Sequence, residues 1–262
     1  MTTLFAIHLS DGVVKPEAII LGFICSFFLL RITLKQLREE EIPRIALLSA
    51  GFFIASLIHF RIGPSSVHLI LNGLVGVLLD RRSILAISTG IVLQTFLLSH
   101  GGISTIGLNI LIIGLPALFS GSLFRLFLKQ FYDPKTNPPL TTLAQQQFIA
   151  MLWILHPGLI VLGIGAIHLG KQIRVRLYDY RYFFSGFITS SLTVMSSVFL
   201  NSFLLLVEGS ENWQLIVVFI ILSHIPVAIL EGVITGLIIQ IILSHNIHFL
   251  EFNNLNTQEP SI

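Results

Sequence analysis

"AIILGFICSFFLLRITL", Ala18 to Leu34, carries a single charge, Arg31, among residues that are otherwise apolar or small. As a helix it approaches the ~20 residues needed to cross a hydrocarbon core of ~30 Å. Stretches of the same kind recur at 45–60, 67–79, 83–98, 106–128, 147–169, 182–207 and 214–243. The 262 residues are 54% hydrophobic and 11% charged, where a soluble domain carries about 25% charged residues, and the mean hydropathy is +0.89. These features predict an all-α, polytopic transmembrane bundle, with residues 1–262 as one integral membrane domain. The run 67–79 is short and holds His68 and Asn72, so it reads as a span buried in the bundle rather than one facing lipid.

Flanking charges set the orientation. Lys35, Arg38 and Arg44 follow the first run, Arg81 and Arg82 separate the third from the fourth, Arg125, Lys129 and Lys135 follow the fifth, and Lys171, Arg174, Arg176 and Arg181 precede the seventh. The positive-inside rule places these loops in the cytoplasm. "SHGGISTIG", Ser99–Gly107, and "EGSEN", Glu208–Asn212, carry no Lys or Arg and face outside, as does the N-terminus. His156-Pro157-Gly158 interrupts the run 147–169, where proline and glycine break or kink a helix. The expectation is therefore seven spans, with 129–181 a cytoplasmic-side insertion holding a broken helical segment; the count is eight if 147–169 crosses fully. Residues 245–262 read as a polar C-terminal tail.

Several function classes drop out. A formal net charge of +2 gives no electrostatic case for nucleic acid. The single cysteine, Cys25, permits neither a disulfide framework nor a thiolate metal site, and reads as a small packing residue. "MTTLFAIHLSDG" lacks the basic start and apolar stretch of a secretory signal. "GAIHLGKQ", Gly165–Gln172, approaches a phosphate-binding loop, but no Ser or Thr follows Lys171 and no strand precedes it. The chain is thus expected not to be an enzyme and not to hydrolyse ATP itself. "GVITG", Gly232–Gly236, fits a close helix–helix approach.

What remains is histidine and one acid. Glu231 is the one acid well inside an apolar run, seven residues after His224, so on a helix both project from nearly the same face, with Pro226 between them to loosen it. The pair reads either as a coupling relay or as an interhelical hydrogen bond. His8, His59, His68 and His100 fall near the outer ends of the first runs. Imidazole nitrogens suit nickel, cobalt, copper and zinc, and without thiolates a nitrogen-rich site is what this sequence can build. His245 and His248 belong to the tail, and His156 and His168 flank the broken segment without an assigned role.

"IHLSDGVV" from Ile7, "GPSSVHLILNGLVGVLL" from Gly63, "LQTFLLSHGGISTIGLN" from Leu93 and "SHIPVAILEGVITG" from Ser223 occur in an order that resembles the CbiM/NikM family. Those proteins are substrate-capture components of energy-coupling-factor transporters for cobalt and nickel. The resemblance implies Co2+ or Ni2+ as the transported substrate, and no organic cofactor. It also implies a transmembrane coupling subunit and cytoplasmic ATPases as partners, with room for a small accessory membrane subunit. Location would be the plasma (inner) membrane of a prokaryote, and the role would be metal uptake of the kind that feeds cobalamin biosynthesis.

Family members typically begin Met-His and hold the ion through the terminal amine, the next backbone nitrogen, that histidine's ring and a histidine of the third span, in an approximately planar set. On this chain His8 aligns with the N-terminal histidine and His68 with the one in the span. Ser10, Asp11 and Gly12 would form the turn that seats the N-terminal segment, and Gln94, Gly101, Gly102 and Asn109 match positions that support or close the pocket. Here "MTTLFA" precedes Ile7-His8, so the amine of Met1 cannot close a chelate ring with His8. Removal of the hexapeptide, a later start, or a changed ligand set with His100 supplying a nitrogen would each reconcile the two. The competing expectations are a permease or scaffold relative that has lost metal binding, and an intramembrane hydrolase using histidine and Glu231, which lacks an H-E-x-x-H pair. Deprotonated nitrogens bind metal, so uptake should weaken as pH falls through the ordinary imidazole range.

Overall fold

A computed structural model describes residues 7–35, 37–62, 65–130 and 180–245. The helices are α1 (Pro16–Leu34), α2 (Ile42–Ala55), α3 (Asn72–Leu79), α4 (Ser83–Leu98), α5 (Ile106–Gln130), α6 (Tyr180–Glu208) and α7 (Gln214–His245). Two short strands, β1 (His59–Ile62) and β2 (Ser65–His68), pair antiparallel with His59 opposite His68. The chain is an all-α membrane protein with one small hairpin. Among the described residues, α1, α5, α6 and α7 are long and apolar enough to cross a bilayer unaided. Helices α2, α3 and α4 have 14, 8 and 16 residues, short of the ~20 that span hydrocarbon alone.

The apolar run 67–79 is not one continuous span. It begins in β2, has no regular structure at 69–71, where Leu71 is left-handed, and becomes helical only at Asn72. Hydropathy does not distinguish a buried strand from a buried helix, and the β-branched Val67 at the start of the run suits the strand. His68 accordingly stands on β2 and not within a helix. The expectation of burial holds: all eight residues of α3 are buried.

Helix α1 begins with Pro16 in its first turn, where the missing N–H costs no intrahelical bond. Its outer face exposes Ile20, Leu21, Phe27 and Phe28, the composition of a lipid-facing surface. Cys25 lies on that face, exposed, so the reading of it as a small packing residue is corrected. Pro226 stands within α7, which nonetheless runs unbroken from Gln214 to His245. Gly232 and Gly236 do mark a close approach: a Cβ on Gly236 would lie 2.7 Å from the Phe183 carbonyl oxygen of α6, and one on Gly186 would lie 3.1 Å from the Gly236 Cα.

Beside a small third cluster of Ala55, Val67, Leu69 and Val227, two larger apolar clusters fill the bundle. The larger joins Ile7 and Leu9 to Ile87 of α4, Ile113 of α5, Val198 of α6 and Ile220 of α7. The smaller packs Leu78, Phe124, Ile239 and Leu243 together, with Tyr182 against them. The second cluster lies towards the end where basic side chains are tied to the frame. Arg125 pairs with Asp80 at 2.9 Å, Arg82 pairs with Glu41 at 2.9 Å, and the Arg44 guanidinium donates to the Leu78 carbonyl. The histidines gather beyond the opposite end, where α4 and α6 finish and α3, α5 and α7 begin.

The hexapeptide 1–6, most of the 129–181 insertion with His156, His168 and "GAIHLGKQ", and the tail beyond His245 with His248 lie outside the described residues.

Candidate metal centre

The segment Ile7–Lys15 lies across the end of the bundle and is fixed on three sides. Asn109 of α5 brackets the backbone of one residue: its Oδ1 accepts the Leu9 N–H at 2.8 Å and its Nδ2 donates to the Leu9 carbonyl at 3.0 Å. The Thr105 hydroxyl also donates to the Leu9 carbonyl, at 2.6 Å, and the Gly102 N–H does so at 2.9 Å. The Asp11 carboxylate then caps the turn before α5, accepting from the Ser104 N–H at 2.8 Å and the Ile103 N–H at 3.2 Å. Those bonds, the Ser104 hydroxyl foremost, hold its pKa below the ordinary carboxylate value. On the third side the Lys15 N–H donates to the Glu208 carbonyl and the Ser210 N–H to the Val13 carbonyl, both at 2.9 Å.

Glycine is required at two places in this anchor. Gly101 has φ +77°, and a Cβ there would lie 2.7 Å from Asn109 Nδ2 and 3.3 Å from the His8 Cβ. At Gly102 a Cβ would run into the Asp11 backbone and carboxylate. Ser10 is half-buried between these anchors and, among the described residues, makes no side-chain hydrogen bond. Gln94 is fully buried, with both atoms of its side-chain amide unpartnered, while its backbone carbonyl accepts the His100 N–H at 3.1 Å.

His68 is positioned from across the bundle. The carboxyl of Glu231 accepts the Leu71 N–H at 2.8 Å through one oxygen and the Ile70 N–H through the other. Leu71 has φ +55°, which for an L-residue costs roughly 1–2 kcal/mol. A carboxylate at the start of α3, where free N–H groups point outward, offsets that cost. Glu231 is thus an interhelical cap, one of the two roles open to it from sequence, and its effect falls on the turn directly after His68.

The result is a cluster of imidazoles. Ring centroids are 5.1 Å apart for His8–His68, 5.1 Å for His68–His100, 6.4 Å for His8–His100, 5.7 Å for His59–His68 and 4.7 Å for His59–His100. Both ring nitrogens of His8, Nε2 of His68 and Nδ1 of His100 are buried without a hydrogen-bond partner. His68 Nδ1 lies 3.0 Å from the Leu69 carbonyl oxygen, which can only accept, so the proton sits on Nδ1 and Nε2 keeps its lone pair. Burial, reinforced by the facing imidazoles, pushes His8 well below the ordinary imidazole value. Burial likewise brings His68 down to about 3 and His100 to about 4. All three are neutral at pH 7, the protonation state a metal ion requires.

His8, His68 and His100 stack nearly face to face, with interplanar angles of 15° and 10° along the series. Among the described residues no three His, Cys, Asp or Glu side chains already converge on a shared ion. The rings would have to turn for their free nitrogens to meet. His224 of α7 is fully buried, its Nδ1 lies 2.7 Å from the Ile220 carbonyl oxygen and its Nε2 has no partner. Glu231 as the cap of α3, and Thr105 as a second hold on Leu9, escape sequence reasoning because their partners lie 160 and 96 positions away.

Residues 8–167 and 155–248 match the family described as the cobalt uptake substrate-specific transmembrane region, CbiM. The chain belongs to the CbiM family. It is 28% identical over 228 residues to a Haemophilus influenzae protein named "Putative metal transport protein", a match covering 87% of this chain and 89% of that one. A Haloquadratum walsbyi protein of the same description is 27% identical over 127 residues, covering 46% of this chain and 58% of that one. The fold resembles the crystal structure of a transition metal transporter with a TM-score of 0.65, at 16% identity over 96% of this chain and all of that one. A truncated transition metal transporter gives a TM-score of 0.60 at 15% identity, covering 91% of this CbiM-family chain and 99% of the other. The protein is a membrane protein of a metal-transport family.

Proposed function

We propose that this CbiM-family protein captures Co2+ or Ni2+ at the outer end of its bundle, with His8, His68 and His100 as ligands. In this reading it is the substrate-binding subunit of an ATP-driven energy-coupling-factor importer in a prokaryotic plasma membrane. A transmembrane coupling subunit and cytoplasmic ATPases supply the energy. The seven helices seen among the described residues then act as seven spans, with the N-terminus outside and the arginine-rich end in the cytoplasm.

One observation carries the proposal: imidazoles from separate stretches of chain are packed together with four ring nitrogens buried and unpartnered. Leaving a buried polar atom unpaired costs about 1–3 kcal/mol. A divalent ion that takes the one lone pair of each neutral ring removes most of that cost, and imidazole suits cobalt and nickel. The near-parallel stacking of the rings favours a second reading, a relative that has lost metal binding. The hydrolase reading loses its acid, since both Glu231 oxygens already accept backbone N–H groups.

Calorimetric titration of the purified full chain with NiCl2 and CoCl2 tests the proposal. It expects binding by the wild type and a fall of about 100-fold or more for His8→Ala with His68→Ala. Wild type that binds neither ion would establish the second reading, and undiminished binding by the double variant would reject these ligands.

A further inference from the structure

His59 has no part in the ligand set above, yet it has the most metal-like setting in the cluster. Strand β1 places it opposite His68, and the α4–α5 connection brings His100 against it. The two Nε2 atoms are 2.8 Å apart. His59 Nδ1 lies 2.9 Å from the Leu57 carbonyl oxygen, which can only accept, so Nδ1 carries the proton and the His59 Nε2 lone pair accepts the Nε2–H of His100. A ring held by its second nitrogen on a backbone carbonyl is how proteins orient metal-binding imidazoles.

The spacing itself is informative. Nitrogens about 2.0 Å from an ion are about 2.8 Å apart at adjacent corners of a planar site and about 3.3 Å apart in a tetrahedral one. His59 is exposed, whereas His100 is half-buried and its other nitrogen, Nδ1, is buried and unpartnered.

We infer that His59 and His100 form a two-imidazole capture site for a divalent transition-metal ion, at the mouth of the buried histidine cluster. An ion held there keeps water on its remaining positions and passes inward by exchanging His59 for the buried rings, with His100 common to both stations. On binding, His100 takes the neutral tautomer with its proton on Nδ1. Both Nε2 lone pairs then face the ion; on passage inward the His100 proton returns to Nε2 and Nδ1 takes the ion, so no proton is released overall. The inward transfer rests on the capture reading given above, but binding at the outer pair does not.

The test uses the purified full chain and NiCl2, with ions per chain and affinity measured in four proteins: wild type, His8→Ala with His68→Ala, that double variant with His59→Ala added, and His59→Gln alone. The expected result is one weaker ion retained by the double variant and lost, with affinity down about tenfold or more, when His59 is also replaced. His59→Gln, a surface change, should leave the elution volume and helical content unaltered and slow nickel association about tenfold while the buried site still fills. No ion retained by the double variant, or retention indifferent to His59→Ala, overturns the outer site and leaves the buried one standing. Equal nickel association rates for wild type and His59→Gln overturn its role as the entrance. The buried ligand set fails separately, when His8→Ala with His68→Ala binds as tightly as wild type.

Discussion

The carboxyl of Glu231 accepts the N–H of Leu71 at 2.8 Å, tying the middle of the last helix to the turn that follows His68. The second bond, from the Ile70 N–H, ties the neighbouring donor to the same carboxyl. Glu231→Ala strands both buried N–H groups and releases a leucine from its left-handed conformation. The expected cost is about 2–5 kcal/mol, at about 1–3 kcal/mol per unpaired group. Thermal unfolding in detergent should show it, together with a loss of nickel affinity as His68 is freed. Glu231→Gln keeps an acceptor and should fall between the two. An alanine variant as stable and as tight-binding as wild type contradicts the capping role.

Asn109 does for His8 what Glu231 does for His68. Asn109→Ala removes both bonds to the Leu9 peptide and should speed hydrogen exchange at Leu9 by about tenfold or more, since about 1–3 kcal/mol attaches to each buried group left unpaired. Asn109→Asp keeps the acceptor and loses the donor, so its exchange should be intermediate. Unchanged exchange at Leu9 in Asn109→Ala would place the hold on His8 elsewhere.

Gly102→Ala puts a methyl group against Asp11 and should detach the N-terminal segment from the α4–α5 turn. Limited proteolysis should then cut within 7–15 in the variant and not in wild type. The same pattern in both proteins contradicts the anchor.

The pH dependence follows from three neutral rings. An imidazole in the unfolded chain titrates near 6.5, whereas His68 is held at about 3, His100 at about 4 and His8 well below its usual range. Between those values the unfolded chain binds protons that the folded chain does not. Stability of the metal-free protein is therefore flat above pH ~6.5 and falls as pH drops towards ~4. For the same reason metal capture should persist through pH 6 and fail only nearer 4, which moves the fall expected from sequence to lower pH. Melting temperatures and nickel titrations between pH 4 and 8 check both statements; a sharp loss of binding centred near 6.5 would show that the rings are hydrated.

Much of this was legible in the residues. The run 83–98 is α4 to the residue, and 106–128, 182–207 and 214–243 differ from α5, α6 and α7 by two residues at most at either end, because long apolar stretches between charges leave a helix few alternatives in a membrane. The convergence of His8, His59, His68 and His100 was legible for the same reason: span ends alternate between two faces. The strand under His68 was not, since hydropathy is blind to the choice between extended and helical backbone over so short a run. Nor was the outward position of Cys25, because α1 is apolar all round and its sequence does not mark which face meets the bundle. The partners of Glu231 are backbone groups, and backbone groups leave no trace in sequence.

The central claim is that the gathered imidazoles are a metal site. X-ray absorption at the nickel edge of the loaded full chain reads the ion's neighbours directly. The account predicts a nitrogen-dominated first shell with outer-shell scattering from at least two imidazole rings, reduced in His8→Ala with His68→Ala. A first shell of oxygens alone, or a spectrum unchanged by that double substitution, would contradict it.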